Sequence, residues 1–346
     1  MTIKPGALRF NTDSMKLEIF RGSANYEGTA SMAGIGTLAA GQWEEIQATS
    51  PEAQTGGARG LFVGGRTGGS ARSVMDYVNI DSTGNSINFG NLTAATRTPF
   101  TCASRTRGIS AGGITSGYVD DIITITIAST GSAVDSGFGL SQSNYNGQSG
   151  SNSTRGIFAG GDAGGTNTDR IEYITIASVG TGVVFGNLSS ARQPGAGGVF
   201  SSTRGIFAGG SPGTNTIEFV TISTLGNAAD FGDLLASTTG LSPCSNSTRG
   251  LFSGFAPSAT NRIDYVTIST LGNAQDFGDL TNTYNNTASC ASATRGLWAG
   301  GYVGPSLQNV IQYVQITSLG NAVDFGDLVN GGNFEFSGLS NGHGGL

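Results

Sequence analysis

The sequence predicts an all-β chain: a six-bladed β-propeller behind a small β-rich N-terminal region. Three observations predict it. A block opening with Arg-Gly recurs at Arg59, Arg107, Arg155, Arg204, Arg249 and Arg295, at intervals of 45 to 49 residues. Each block holds four short runs with strand character, bounded by Gly, Asn, Ser or Pro. Glycine supplies 58 of the 346 residues, which disfavours helices, because each interior glycine costs a helix about 1 kcal/mol. Four strands in roughly 47 residues, repeated six times, form the signature of a propeller.

Residues 1–50 precede the repeats. Leu8-Arg9-Phe10 and Leu17-Glu18-Ile19 alternate apolar and polar residues around Asn11-Thr12-Asp13-Ser14, the pattern of a β-hairpin. A Gly/Ala-rich stretch from Ala30 to Gly41 leads to Gln42-Trp43-Glu44-Glu45-Ile46, a third strand. Three strands make a poor core alone. This region is therefore expected to dock on a second copy or on a partner, with Leu8, Phe10, Leu17, Ile19 and Trp43 as attachment residues.

Residues 51–346 hold the propeller. Repeat three shows its parts: Arg155-Gly156-Ile157-Phe158-Ala159-Gly160-Gly161 as strand B, Ile171 to Ile176 as strand C, and Phe185-Gly186-Asn187-Leu188 as strand D. Strand A is a small run such as Gly197 to Ser201. Double glycines end strand B at Gly64-Gly65, Gly112-Gly113, Gly160-Gly161, Gly209-Gly210 and Gly300-Gly301; repeat five has Gly254-Phe255. Strand C carries an aromatic at Tyr77, Tyr173, Phe219, Tyr265 and Tyr313, with Thr124 in repeat two. Strand D carries Phe89, Phe138, Phe185, Phe231, Phe277 and Phe325. Repeat one begins at strand B, and one A-like run, Phe334 to Leu339, remains after Leu328. That run is expected to close the ring beside Gly60–Val63. The repeated arginines are expected to pair with carboxylates or to cap carbonyls between blades. Cys102, Cys244 and Cys290 each lie five residues before a repeat arginine, as small core residues. Their odd number argues against a disulfide framework.

The two faces of such a ring differ in sequence. A–B and C–D turns emerge on one face and are uniform, the latter as Gly226-Asn227, Gly272-Asn273 and Gly320-Asn321 hairpin turns. B–C and D–A segments emerge on the other and vary. Diversified loops on a rigid scaffold are where recognition usually sits. Their Asn, Ser, Thr, Gly and Tyr residues suit adaptable polar contacts. The candidate ligand-binding residues are Tyr118, Asn144, Tyr145, Asn167, Tyr284, Asn285 and Tyr302.

Charge and composition exclude other chemistry. The net charge is −6, and the 17 cations do not cluster, which disfavours nucleic acid. No apolar run approaches 18 residues, so membrane insertion is not expected. The start, Met1 to Gly6, has no apolar h-region, so no secretory signal is expected. The one histidine, His343, sits in no metal-ligand pattern. The Asp-Phe-Gly triplets at Asp230, Asp276 and Asp324 recur with the blade period and read as structural. No catalytic set, metal site or cofactor is expected, and the chain reads as a non-enzyme.

The double glycine, the strand C aromatic and the large apolar residue of strand D resemble Kelch-like propeller blades over residues 57–346. Phenylalanine stands where that family has tryptophan. The run Gly6 to Phe20, followed by Trp43-Glu44-Glu45-Ile46, resembles attachment segments of tailed-phage virion proteins. The Thr-Arg-Gly and Asp-Phe-Gly-Asp-Leu repeats are similar to those of cyanophage-type structural proteins. This resemblance implies a virion protein, assembled in the host bacterial cytoplasm and bound to other virion proteins through its N-terminal region. It implies a homo-oligomer, a trimer if it follows phage fibres. The expected role is a tail or fibre component that binds a host surface polysaccharide through the variable face. Two alternatives stay open: a tail, collar or capsid decoration without a receptor, and a propeller polysaccharide hydrolase or lyase using carboxylates paired across blades.

Overall fold

The computed structural model describes residues 7–11, 16–21, 42–45, 58–254 and 260–346. Thr12–Ser14 of the expected turn, the stretch Ala30–Gly41, Ile46 and Phe255 lie outside the described residues. The chain divides into Met1–Ala53 and Gln54–Leu346, close to the expected boundary.

The first unit is a three-stranded antiparallel sheet of Leu8–Asn11, Lys16–Arg21 and Gln42–Glu45, in that order. The expected hairpin and third strand are both present. Register pairs Leu8 with Ile19, Phe10 with Leu17 and Phe20 with Trp43. Trp43 therefore belongs to the opposite alternation from the other four attachment candidates.

The second unit is a six-bladed β-propeller. Strands B and C of the six blades are Arg59–Val63 and Val74–Asn79, Arg107–Ala111 and Asp121–Thr126, Arg155–Ala159 and Arg170–Thr175, Arg204–Ala208 and Thr214–Thr221, Arg249–Ser253 and Arg262–Thr267, and Arg295–Ala299 and Val310–Gln315. Every B strand is buried after its arginine, matching its nearly continuous apolar and small residues. Ser337–Ser340 completes blade one, with Ser337 opposite Val63 and Ser340 opposite Gly60. The last strand thus closes the ring, as its sequence predicts.

The seams between blades explain the repeat. At the axis, the A strands face one another with open edges. Serine hydroxyls satisfy them: Ser149, Ser151 and Ser245 each accept from a backbone N–H of the neighbouring A strand and donate to the carbonyl of that same residue. Further out, the Arg-Gly glycine lies beneath a strand A side chain of the preceding blade. A methyl built on Gly60 would come within 2.5 Å of Cys290 Sγ, one on Gly156 within 2.5 Å of Cys102 Sγ, and one on Gly296 within 2.9 Å of Cys244 Sγ. The cysteines are buried free thiols, as expected.

The arginine beside that glycine crosses the seam. Its guanidinium donates to the carbonyl of the residue just after strand C of the following blade: Arg59 to Ile127, Arg107 to Ile176, Arg155 to Ile222, Arg204 to Ile268, Arg249 to Ile316 and Arg295 to Ile80. In five blades it also lies over its own strand C aromatic, 4.6–5.2 Å from the ring centroid. These arginines cap carbonyls, the second of the two expected arrangements.

At the rim, D strands bond to the next blade's C–D turn. Gly226 N–H donates to Phe185 O at 2.9 Å, and Asn227 Oδ1 accepts from Asn187 N at 3.1 Å. The same pair of contacts recurs through Gly272-Asn273 and Gly320-Asn321. The Gly-Asn pairs therefore latch neighbouring blades as well as turning the chain. Phe138 corrects the sequence reading. Strand D of blade two, Val134–Gly139, is one residue longer than those of blades one, three, five and six, and Phe138 is 45% exposed. Strand C of that blade has Thr124 instead of an aromatic, so no ring waits for it.

The C-terminal residues plug the axis on the turn face. His343 is half-buried, with Nε2 2.9 Å from Ala103 O and Nδ1 accepting from Gly345 N. These partners assign the neutral Nε2–H tautomer. Burial lowers its pKa from the ordinary 6.5 to about 4.

Two outcomes follow from the packing. Gly156→Ala lowers stability by about 1–3 kcal/mol, as overpacking does, and Cys102→Ala in the same chain restores most of it. Chemical denaturation of the two single variants and the double variant reads that coupling. For His343, the unfolded chain binds its proton more tightly than the folded one. Its contribution is complete above about pH 6.5 and is lost as pH falls towards 4. The melting temperature of His343→Gln should therefore fall less steeply than wild type over that interval.

Candidate functional site

The variable face is assembled from D–A segments and B–C loops, and the strand C acids hold the first of these in place. Glu172 accepts from Ser141 N, Glu218 from Ser189 N and Asp264 from Leu235 N, each across a seam. Each is also paired with an arginine: Arg170, Arg192 and Arg262 respectively. In blade six Gln312 does the same for Thr281. These three carboxylates are thus engaged in positioning loops.

Each D–A segment then bends through a positive-φ residue at an equivalent place. Four of these are not glycine: Thr98 (φ 48), Asn146 (φ 57), Asn286 (φ 56) and Glu335 (φ 54). Gly195 and Gly240 hold the corresponding places in the other two segments, with φ 101 and 63. The six line one cleft at the axial mouth. Backbone bonds link part of the ring, from Thr98 N to Glu335 O and from Asn146 N to Thr98 O. The left-handed conformation costs an L-residue about 1–2 kcal/mol. Elsewhere this chain meets that demand with glycine, the one other non-glycine case being Val179 among the described residues. Side chains stand at the mouth despite the strain, a pattern associated with functional sites.

An arc of rings and charges borders the mouth. Tyr302 meets Phe334 edge-on at 4.5 Å between centroids, and Arg66 lies 4.6 Å over Phe334. Arg66 Nε and Arg97 Nη1 are 3.4 and 3.3 Å from the same Glu335 oxygen. Tyr145 and Tyr118 stack at 5.2 Å with an interplanar angle of 14°. Burial raises the pKa of Tyr145, the charge of Asp162 and the neighbouring Tyr118 add to the rise, and Arg97 opposes it. Beyond lies an amide network: Asn146 donates to Gln193, whose own amide donates to Asp162 and Asn167.

The sequence candidates separate. Tyr118 is 43% exposed, and Tyr145, Asn167, Asn285 and Tyr302 are half-buried on this face. Asn285 and Tyr302 pair through their backbones. Two candidates are corrected. Asn144 is buried, and its amide donates to Gly160 O at 2.8 Å, so it pins the loop. Tyr284 is buried in a core cluster with Leu280 and Trp298, because its ring fills the space under strand B of blade six. Arg66, Arg97, Phe334, Glu335, Asp162 and Gln193 were missed. For Arg97 and Phe334 the signal was position: like Tyr145 and Asn285, each immediately precedes the bend residue of its segment, and Gln193 lies two residues before its own.

Among the described residues no group of three His, Cys, Asp or Glu is placed to hold a metal. No family model matches the chain, and no curated protein matches it.

Thr98→Gly tests the strain. Relief of the left-handed threonine outweighs the roughly 0.5–1 kcal/mol entropic penalty of glycine, and urea denaturation should show a net gain near 1 kcal/mol. A loss would mean that the side chain contributes to packing.

Proposed function

We propose that the protein is a tailed-phage virion component, in the tail or fibre, that binds a host surface glycan through its variable face. The observation that carries this is the bordered mouth, where exposed or half-buried rings, arginines and amides converge on strained backbone. Tyrosine rings give large, rigid contact surfaces at low entropic cost. The apolar faces of sugar rings stack on such surfaces, while amides and arginines bond their hydroxyls. The resemblance of residues 6–20 to virion attachment segments supplies the tether, and that of the repeats to Kelch-like blades agrees with the ring.

The test is binding of the full chain to host cells and to their purified surface polysaccharide. Wild type should bind saturably. Tyr145→Ala combined with Tyr118→Ala should weaken binding at least tenfold with an unchanged melting temperature. Absence of wild-type binding to cells and polysaccharide would end the glycan reading in favour of a purely architectural protein.

A further inference from the structure

Most arginines of the propeller have a structural partner. Six cap carbonyls across the seams. Arg170, Arg192 and Arg262 each hold one carboxylate, and Arg72 donates to Asn330 O and Gly332 O. Arg66 and Arg97 are different. They come from blade one and from the segment after it, and they share a single oxygen of Glu335. Among the described residues, Glu335 is the only hydrogen-bonding or ionic partner of either guanidinium. Their side chains are 29% and 32% exposed. Among the described residues each therefore keeps several N–H donors without a partner, at the border of the mouth and not in its lining.

Three further observations place a ligand there. Glu335 is one of the strained mouth residues, so the pair is fixed to the rim of the axial mouth by backbone, not by a mobile loop. Thr98 Oγ1, in the same ring, is buried and has no hydrogen-bond partner. The mouth encloses about 20 Å³, room for a water or for the tip of one polar group, but not for a sugar ring. Rings flank it on both sides, Phe334 with Tyr302 on one and Tyr145 with Tyr118 on the other. The other carboxylate of this region, Asp162, is buried and already accepts from Gly165 N and Gln193.

We infer that this mouth is an acidic-sugar subsite: Arg66 and Arg97 receive the carboxylate of a uronate or sialate residue, whose ring lies against Tyr145 or Tyr302. Two guanidinium forks with free donors match a planar carboxylate in geometry and charge. Glu335 does not oppose them. It holds the two forks a fixed distance apart, and its one negative charge leaves the trio with a net positive charge. Thr98 Oγ1 supplies a hydroxyl within the rim for a second contact.

This inference rests on the glycan reading, and one experiment separates the two. The full chain is titrated against oligosaccharides carrying glucuronate, galacturonate or sialate, each beside its carboxyl-reduced counterpart. At least one acidic member should bind tenfold or more tightly than its reduced partner, and added salt should erode the difference. Arg97→Gln and Arg66→Gln should each bring the pair to within threefold, and Arg97→Lys should recover only part of the preference. Unchanged melting temperatures show that the variants fold. Equal binding of both members of every pair would overturn the acidic subsite while leaving the glycan reading standing. Binding of no oligosaccharide and of no host polysaccharide would overturn both.

Discussion

The close approach of neighbouring blades is the constraint on which the rest depends. Where strand B of one blade meets strand A of the blade before it, there is no room for a side chain on the facing residue. A methyl on Gly60 or Gly156 would sit 2.5 Å from a cysteine sulfur. The glycine admits the neighbour, and the arginine next to it crosses the seam to the following blade's carbonyl, flattened on its own blade's aromatic. Each such charged hydrogen bond contributes about 1.5–3 kcal/mol when well made, and the ring has six. Serines at the axis and Gly-Asn turns at the rim repeat the same solution at smaller and larger radius.

This arrangement confines variation. Every seam residue is committed to a neighbour, and the turn face is committed to latches and to the C-terminal plug. Only the B–C and D–A loops are left to differ. The strand C acids fix where those loops begin, and the bend residues fix where they meet. The strain is therefore concentrated at the mouth, held by six blades at once. A scaffold of this kind can present rings and arginines without paying for their ordering when a ligand arrives.

Much of the ring was legible in the sequence because the seams recur. Six Arg-Gly blocks, the closing strand near residues 334–339, the carbonyl-capping arginines and the core cysteines all follow from comparing repeats with one another. What escaped was what a single blade does differently. Phe138 was read as the strand D aromatic of its blade, yet an added residue in that strand leaves it outward. Asn144 and Tyr284 look like loop residues, but each turns inward to support its own loop. Glu335, Arg66 and Arg97 lie far apart in sequence and meet because the C-terminal strand closes blade one. Left-handed threonine, asparagine and glutamate carry no sequence mark, unlike the glycines that occupy the same places in the other two segments.

The central claim of the proposed function is that uniform seams commit the turn face to the ring itself and leave the loop face for recognition. Electron cryo-microscopy of the intact particle tests it most directly. The account predicts density for the propeller with the mouth of Thr98, Asn146 and Glu335 facing outward and the turn face towards the particle. A propeller whose loop face is packed against other virion subunits would contradict it.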